Sequence, residues 1–72
     1  MGNTIRFHRR RLGLSQETLA QQIGCKRSTV ACYEAGYVTP SLAVAKRLAL
    51  VLGISMDVLT DDPTIEEIAK HV

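Results

Sequence analysis

The chemistry within reach of this 72-residue chain belongs to its arginines and lysines rather than to nucleophiles or metal ligands. Residues 1–54 hold eight of them against only Glu17 and Glu34, whereas residues 55–72 hold Lys70 against five acids. A basic body with an acidic tail turns one pole toward a polyanion and the other away. Catalysis finds no matching set, because no carboxylate pair, activated nucleophile or phosphate-cradling loop is legible. His8 and His71 have no companion at metal-ligand spacing and read as surface or half-buried structural residues. Cys25 and Cys32 are a single pair without a nearby histidine, short of the four ligands a zinc site needs. Cys25 reads as a small buried hydrophobe. No metal, cofactor or small-molecule ligand is expected, and the chain is not expected to be an enzyme.

Positioning falls to the stretch Leu14–Gly36, LSQETLAQQIGCKRSTVACYEAG, which reads as two short helices joined by a tight turn. Ser15 is suited to cap the first, since its hydroxyl can accept an orphan backbone N–H. Leu19, Ala20 and Ile23 fall at helical spacing and define a buried face. Gly24 can take positive φ without a Cβ penalty, so it ends that helix and redirects the chain. A second helix runs from about Arg27 to Ala35, with Gly36 as its stop. At about 100° per residue, Val30 and Tyr33 share one side, with Thr29 beside them. Arg27, Ser28, Ala31, Cys32 and Ala35 share the other. That outer side is short-chained apart from one arginine, and a helix with such a face can lie close to another surface. A major groove admits one α-helix whose first turns reach base edges.

This segment resembles the helix-turn-helix of the phage Cro/CI-type (XRE-like) repressors. Gln16 stands at the motif start, small Ala20 where the helices cross, Gly24 in the turn, and Val30 and Tyr33 as inward anchors. Ile5 to Leu12 fits the family's first helix, Pro40-Ser41-Leu42 through Leu52-Gly53-Ile54 its fourth, and Ser55 to Leu59 its fifth. About four-fifths of the chain is covered. The resemblance implies an all-α fold: a compact five-helix, lambda-repressor-like DNA-binding domain over residues 1–60, with the motif at about 16–35. Residues 61–72 are expected to form a C-terminal helical tail.

Site residues follow partly from the resemblance and partly from the side chains themselves. Arg27 and Ser28 match family positions that face base edges, and Arg27 can bond guanine O6 and N7 together. Ala31 and Cys32 can pack on thymine methyl groups; oxidation of an exposed Cys32 thiol is an alternative role. By resemblance, Gln16 and its backbone N–H contact a DNA phosphate, as a helix N-terminus favours. Tyr37 and Thr39, in the loop after the motif, take phosphate contacts in the same way. Arg10, Arg11 and Lys26 are phosphate candidates by charge. Thr29 either bonds a phosphate or fills the junction between the two helices. The resemblance also pairs Arg9 with Glu34, tying the first helix to the third as a structural element.

The first helix is expected from a cap at Asn3 or Thr4, after frayed residues 1–3, to about Leu12, with Ile5, His8/Arg9 and Leu12 at helical spacing. Leu42, Ala45, Leu48, Ala49 and Leu52 are the expected buried stripe of the fourth, with Lys46 and Arg47 pointing away. Ser55 caps a short fifth helix carrying Val58 and Leu59. Asp62 or Thr64 can cap a last helix whose Ile65, Ile68, Ala69 and Val72 recur at i, i+3, i+4 and i+7. That stripe packs on its own domain or on a twin; dimerisation is the favoured outcome, with Met56, Ile65, Ile68 and Val72 in the contact. One domain is all that this length supports. No apolar run nears the roughly 18 residues of a membrane span, and no signal-peptide pattern is present, so cytoplasmic residence is expected. The functional expectation is a sequence-specific DNA-binding transcriptional regulator, a repressor that occupies a near-palindromic operator in double-stranded DNA as a homodimer. A helix-turn-helix protein-interaction module, antitoxin- or co-activator-like, is the alternative.

Overall fold

The structure, a computed structural model, describes residues 1–60. Five helices follow in order: α1 (Gly2–Arg11), α2 (Gln16–Ile23), α3 (Arg27–Ala35), α4 (Leu42–Leu52) and α5 (Met56–Thr60). The described residues contain no strand. The expected tail helix, with Ile65, Ile68, Ala69, His71 and Val72, lies outside the described residues.

Punctuation is local and chemical. Ser15 Oγ accepts the Thr18 N–H at 3.0 Å and donates to Thr18 Oγ1 at 2.9 Å, so the hydroxyl of Thr18 joins the cap in place of the acid of a capping box. Ser41 and Ser55 cap α4 and α5 likewise, through the N–H groups of Val44 and Val58. Gly24 ends α2 at φ 76° and Gly36 ends α3 at φ 82°, a left-handed backbone that side-chain-bearing residues resist.

Each helix contributes one stripe to a shared core. Ile5 of α1, Leu19, Ala20 and Ile23 of α2, Val30 and Tyr33 of α3, Ala45, Leu48, Ala49 and Leu52 of α4, and Leu59 of α5 are all buried. Burial holds the Tyr33 hydroxyl above the ordinary phenol range, and the neighbouring Cys25 thiol adds to the effect. Cys25 itself is half-buried against the core.

Three expectations are corrected. α1 begins at Gly2 with Met1 as its cap, so Asn3 and Thr4 lie inside the helix and residues 1–3 are not frayed. Tertiary packing overrides the capping preference of those side chains. Met1 packs on the core and its carbonyl accepts the Ile5 N–H. Gly2, meanwhile, sits hard against the end of α3: a Cβ there would lie 2.5 Å from the Tyr33 carbonyl oxygen and 2.7 Å from that of Glu34. Leu42 is 65% exposed, because it opens α4 at the edge of the core and the buried stripe starts only at Ala45. Leu12 is exposed as the residue just past the end of α1, and Val58 faces outward, leaving Leu59 to anchor α5.

Gly2 supports a prediction whose sign opposes helix propensity. Alanine is the better helix former by about 1 kcal/mol, yet backbone carbonyls cannot swing aside as a side chain could. Gly2→Ala is expected to destabilise the fold by about 1–3 kcal/mol, the range for overpacking. Urea denaturation followed by circular dichroism measures it, and an unchanged or raised midpoint would refute the close contact.

Candidate nucleic-acid interface

α2 and α3 pack together with Gly24, Cys25 and Lys26 between them, and α3 turns Val30 and Tyr33 inward. Its opposite side is open. Arg27, Ser28 and Ala35 are exposed, while Thr29, Ala31 and Cys32 are half-buried. Lys26 occupies the cap position of α3 without a side-chain capping bond and extends into solvent. Arg10 and Arg11 are exposed at the end of α1, where Arg11 Nε donates to His8 Nδ1 at 3.2 Å. The imidazole of His8 also meets the Phe7 ring edge-on at 5.0 Å. Tyr37 is 82% exposed in the loop after α3, and Thr39 is exposed as well. At the start of α2 the Ser15 cap takes the Thr18 N–H, and helix geometry leaves the N–H groups of Gln16 and Glu17 outside intrahelical bonding.

Behind this surface lies a polar hub. Glu34 is 3% exposed, and its carboxylate is met by Arg9, with Nε donating to Oε2 at 2.6 Å and Nη2 to Oε1 at 3.0 Å. The remaining Arg9 nitrogen, Nη1, donates to the Leu14 carbonyl at 2.8 Å, just before the α2 cap. One side chain thereby joins α1, the α1–α2 turn and α3. Arg6 adds its Nε at 3.5 Å from Oε1 and its Nη2 at 3.3 Å from the Glu34 carbonyl. Gln16 Nε2 donates to Oε1 at 3.3 Å, and Gln16 Oε1 in turn receives Arg27 Nη1 at 3.5 Å. Burial alone would push the Glu34 carboxyl up. Hydrogen bonds from Arg9 and Gln16, the Arg9 charge and the Arg6 bond more than offset it, so the carboxyl is held below its ordinary range.

The roles of Arg6 and Gln16 at this hub are absent from the reading of the residues alone. Arg6 stands one helical turn before Arg9, so the i, i+3 spacing places both on one side of α1 and carries a usable signal. Nothing in the sequence signals the Gln16–Glu34 contact across 18 residues. Arg47 points outward as expected, but its Nη1 also donates to the Ile23 carbonyl at 3.3 Å, closing the end of α2. An apolar groove of about 540 Å³ lies between α4 and α5, lined by residues that include Ala49, Leu50, Ile54 and Met56, with Leu50 82% exposed. Among the described residues no group of three or more His, Cys, Asp and Glu could hold a metal ion, and no helix is long and apolar enough to cross a membrane.

Two helices joined by a glycine turn, the second backed by the core and open on its outer side, define the class of helix-turn-helix domains. The chain belongs to the helix-turn-helix family of transcriptional regulators, whose family profile, described as Helix-turn-helix, matches residues 5–59. It is 47% identical over 53 residues to an uncharacterized HTH-type transcriptional regulator of Methanothermobacter thermautotrophicus, a match spanning 74% of this chain and 77% of that one. The restriction-modification controller protein C.AhdI of Aeromonas hydrophila superposes with a TM-score of 0.76 at 41% identity, over 81% of this chain and 88% of that one. A chain of the SinR protein/SinI protein complex superposes with a TM-score of 0.78 at 26% identity, over 96% of this chain and 74% of that one. The five-helix fold superposes on both solved structures, and the repressor-like architecture implied by the resemblance holds.

Proposed function

We propose that this chain binds double-stranded DNA sequence-specifically and represses transcription by occupying a near-palindromic operator as a homodimer, with α3 in the major groove. The observation that carries this reading is the open, short-chained side of α3, with Arg27 at its N-terminal end and Val30 and Tyr33 locked into the core behind it. A small-residue face lets the helix backbone approach base edges, and a core-anchored back keeps its orientation fixed on contact. Arg27 reads guanine, Ser28 bonds an adjacent edge, and Ala31 and Cys32 pack on methyl groups. Arg10, Arg11 and Lys26 supply charge to the phosphates, and Gln16, Thr29, Tyr37 and Thr39 supply neutral hydrogen bonds that set register. The dimer contact uses Met56 and the exposed Leu50 on the α4–α5 groove, together with Ile65, Ile68 and Val72. The work is cytoplasmic and needs neither cofactor nor small-molecule ligand. A name of controller protein on one structural relative agrees with a regulatory role.

Selection of bound duplexes from a random pool tests the reading. It is expected to return an inverted repeat with half-sites about one helical turn apart. Arg27→Ala is expected to relax preference at one base pair in each half-site, at a cost of about 1–3 kcal/mol of discrimination. A pool that returns no consensus would refute sequence reading. A second reading, a protein-interaction module, draws on the relative whose structure is a complex of two proteins; weak binding to every duplex, insensitive to salt, would favour it.

A further inference from the structure

We propose that the outer side of α1 is a docking site for the chain's own acidic residues 61–72, which cover Arg10 and Arg11 in the free protein and withdraw when a duplex takes those arginines. Asn3, Arg6, Phe7, Arg10 and Arg11 line a groove of about 480 Å³ there. Phe7 stands one helical turn from Asn3, Arg10 and Arg11, so the four share one side of α1, and its ring is 64% exposed. Ile5 and Arg9 turn inward instead. An exposed aromatic ring among three guanidinium groups is unlike an ordinary solvated helix face, and the DNA contacts proposed above make no use of it. Arg6 is engaged by Glu34, but no carboxylate of the described residues lies within ion-pairing distance of Arg10 or Arg11.

Charge, length and attachment point to one occupant. Residues 61–72 carry Asp61, Asp62, Glu66 and Glu67, four of the chain's seven acids, against Lys70. Ile65 and Ile68 lie among those acids in sequence and supply apolar surface for the Phe7 ring. The segment continues directly from Thr60, the end of α5, and α5 packs on α1. A helix is about 10–12 Å across with its side chains, so half its girth is about 17 Å. About six extended residues at roughly 3.3 Å each cover that distance, so twelve reach the groove with length to spare. Tethering also holds the acids near the arginines at an effective concentration of about millimolar, which favours this segment over an acidic peptide arriving from solution. The same segment is assigned above to the dimer contact, and the two placements alternate. Duplex phosphates compete for Arg10 and Arg11 and repel the acids, which frees Ile65, Ile68 and Val72 for the twin. The effect on DNA rests on the assignment of Arg10 and Arg11 to phosphates; the docking itself does not.

The chain has no tryptophan, so Phe7→Trp in the full chain places a single reporter in the groove, with circular dichroism to check that it is folded. Its emission is measured at low salt without DNA. Neutralising the acids together, as Asp61→Asn, Asp62→Asn, Glu66→Gln and Glu67→Gln, is expected to move the emission to the red and to raise quenching by acrylamide. Arg10→Gln with Arg11→Gln is expected to do the same from the other side, as is high salt, which screens the pairs. In the chain with its natural Phe7, the neutralised segment is expected to raise operator affinity about 2- to 30-fold, the worth of two exposed ion pairs expressed as the covered fraction of free chains. Emission unchanged by the acid substitutions overturns the docking, even if operator affinity rises through the added net charge. A shift that depends on protein concentration overturns the placement within one chain and makes a second copy the occupant. A shift with no gain in affinity overturns the effect on DNA and takes Arg10 and Arg11 out of the phosphate contacts, with the docking intact.

Discussion

Between 50 and 200 mM monovalent salt, affinity for the selected operator is expected to fall about a thousandfold. The magnitude follows from a count of charges. Arg10, Arg11 and Lys26 are exposed cations assigned to phosphates, while Arg9 and Arg6 are held by Glu34 and Arg27 is assigned to a base. Gln16, Thr29, Tyr37 and Thr39 are neutral and release no counterions. Two protomers neutralise roughly six phosphates, for a slope of log K against log salt near −5 at about −0.9 per phosphate. A single protomer would give a slope near −3 and only about a 40-fold fall over the same range. Titrations by fluorescence anisotropy at four salt concentrations, paired with the stoichiometry on the operator, separate the two cases. A slope near −3 with one chain bound would refute the dimer, and a flat line would refute DNA binding. Asp57 of α5 is exposed, and an acid near the duplex would make the slope shallower.

The parts of this fold that are legible in the sequence are those whose cause is local. Ser15, Ser41 and Ser55 bond N–H groups three residues on, and Gly24 and Gly36 adopt a backbone that other residues resist, so each element boundary is written next to itself. The inward stripe of α3 follows from helical period alone. Tertiary causes leave weaker traces. Asn3 and Thr4 are good caps in isolation, and the start of α1 is decided instead by Gly2 lying against the carbonyls of α3. Leu42 fits the buried period of α4, but the period cannot say where neighbouring helices stop covering it. The partnership of Arg9 with Glu34 comes from resemblance, not spacing, because 25 residues separate them. The Gln16 contact has no local pattern at all. The same division holds at the candidate interface, where α3 announces its open side while the chain of bonds behind Arg27 emerges only when three helices meet.

Replacing Glu34 with alanine is expected to remove about 3–5 kcal/mol of stability, the cost of stranding a buried charge. A chain of this length has roughly 4–11 kcal/mol in total, so the variant should sit near the edge of folding. The melting temperature should drop by roughly 12 °C or more, at about 4–8 °C per kcal/mol for a domain of this size. Arg9→Ala should cost less. It leaves Glu34 with Arg6 and Gln16 as partners, whereas Glu34→Ala leaves the 8%-exposed Arg9 with the Leu14 carbonyl as its one remaining bond among those described above. Removing both charges together, as Arg9→Met with Glu34→Leu, should recover most of the loss, because buried ion pairs often contribute little over well-packed apolar groups. Acid supplies an independent readout. The folded Glu34 carboxyl lies below its ordinary value of 4.5, so the unfolded chain binds the proton more readily. Its share of stability is therefore full above about pH 5 and is lost as the pH falls through the folded value. Urea denaturation at pH 7 and pH 3.5 should show a steeper acid loss in wild type than in the doubly apolar variant. Equal acid sensitivity in the two, or a Glu34→Ala cost under about 1 kcal/mol, would mean that helix packing and not this carboxylate fastens α1 to α3.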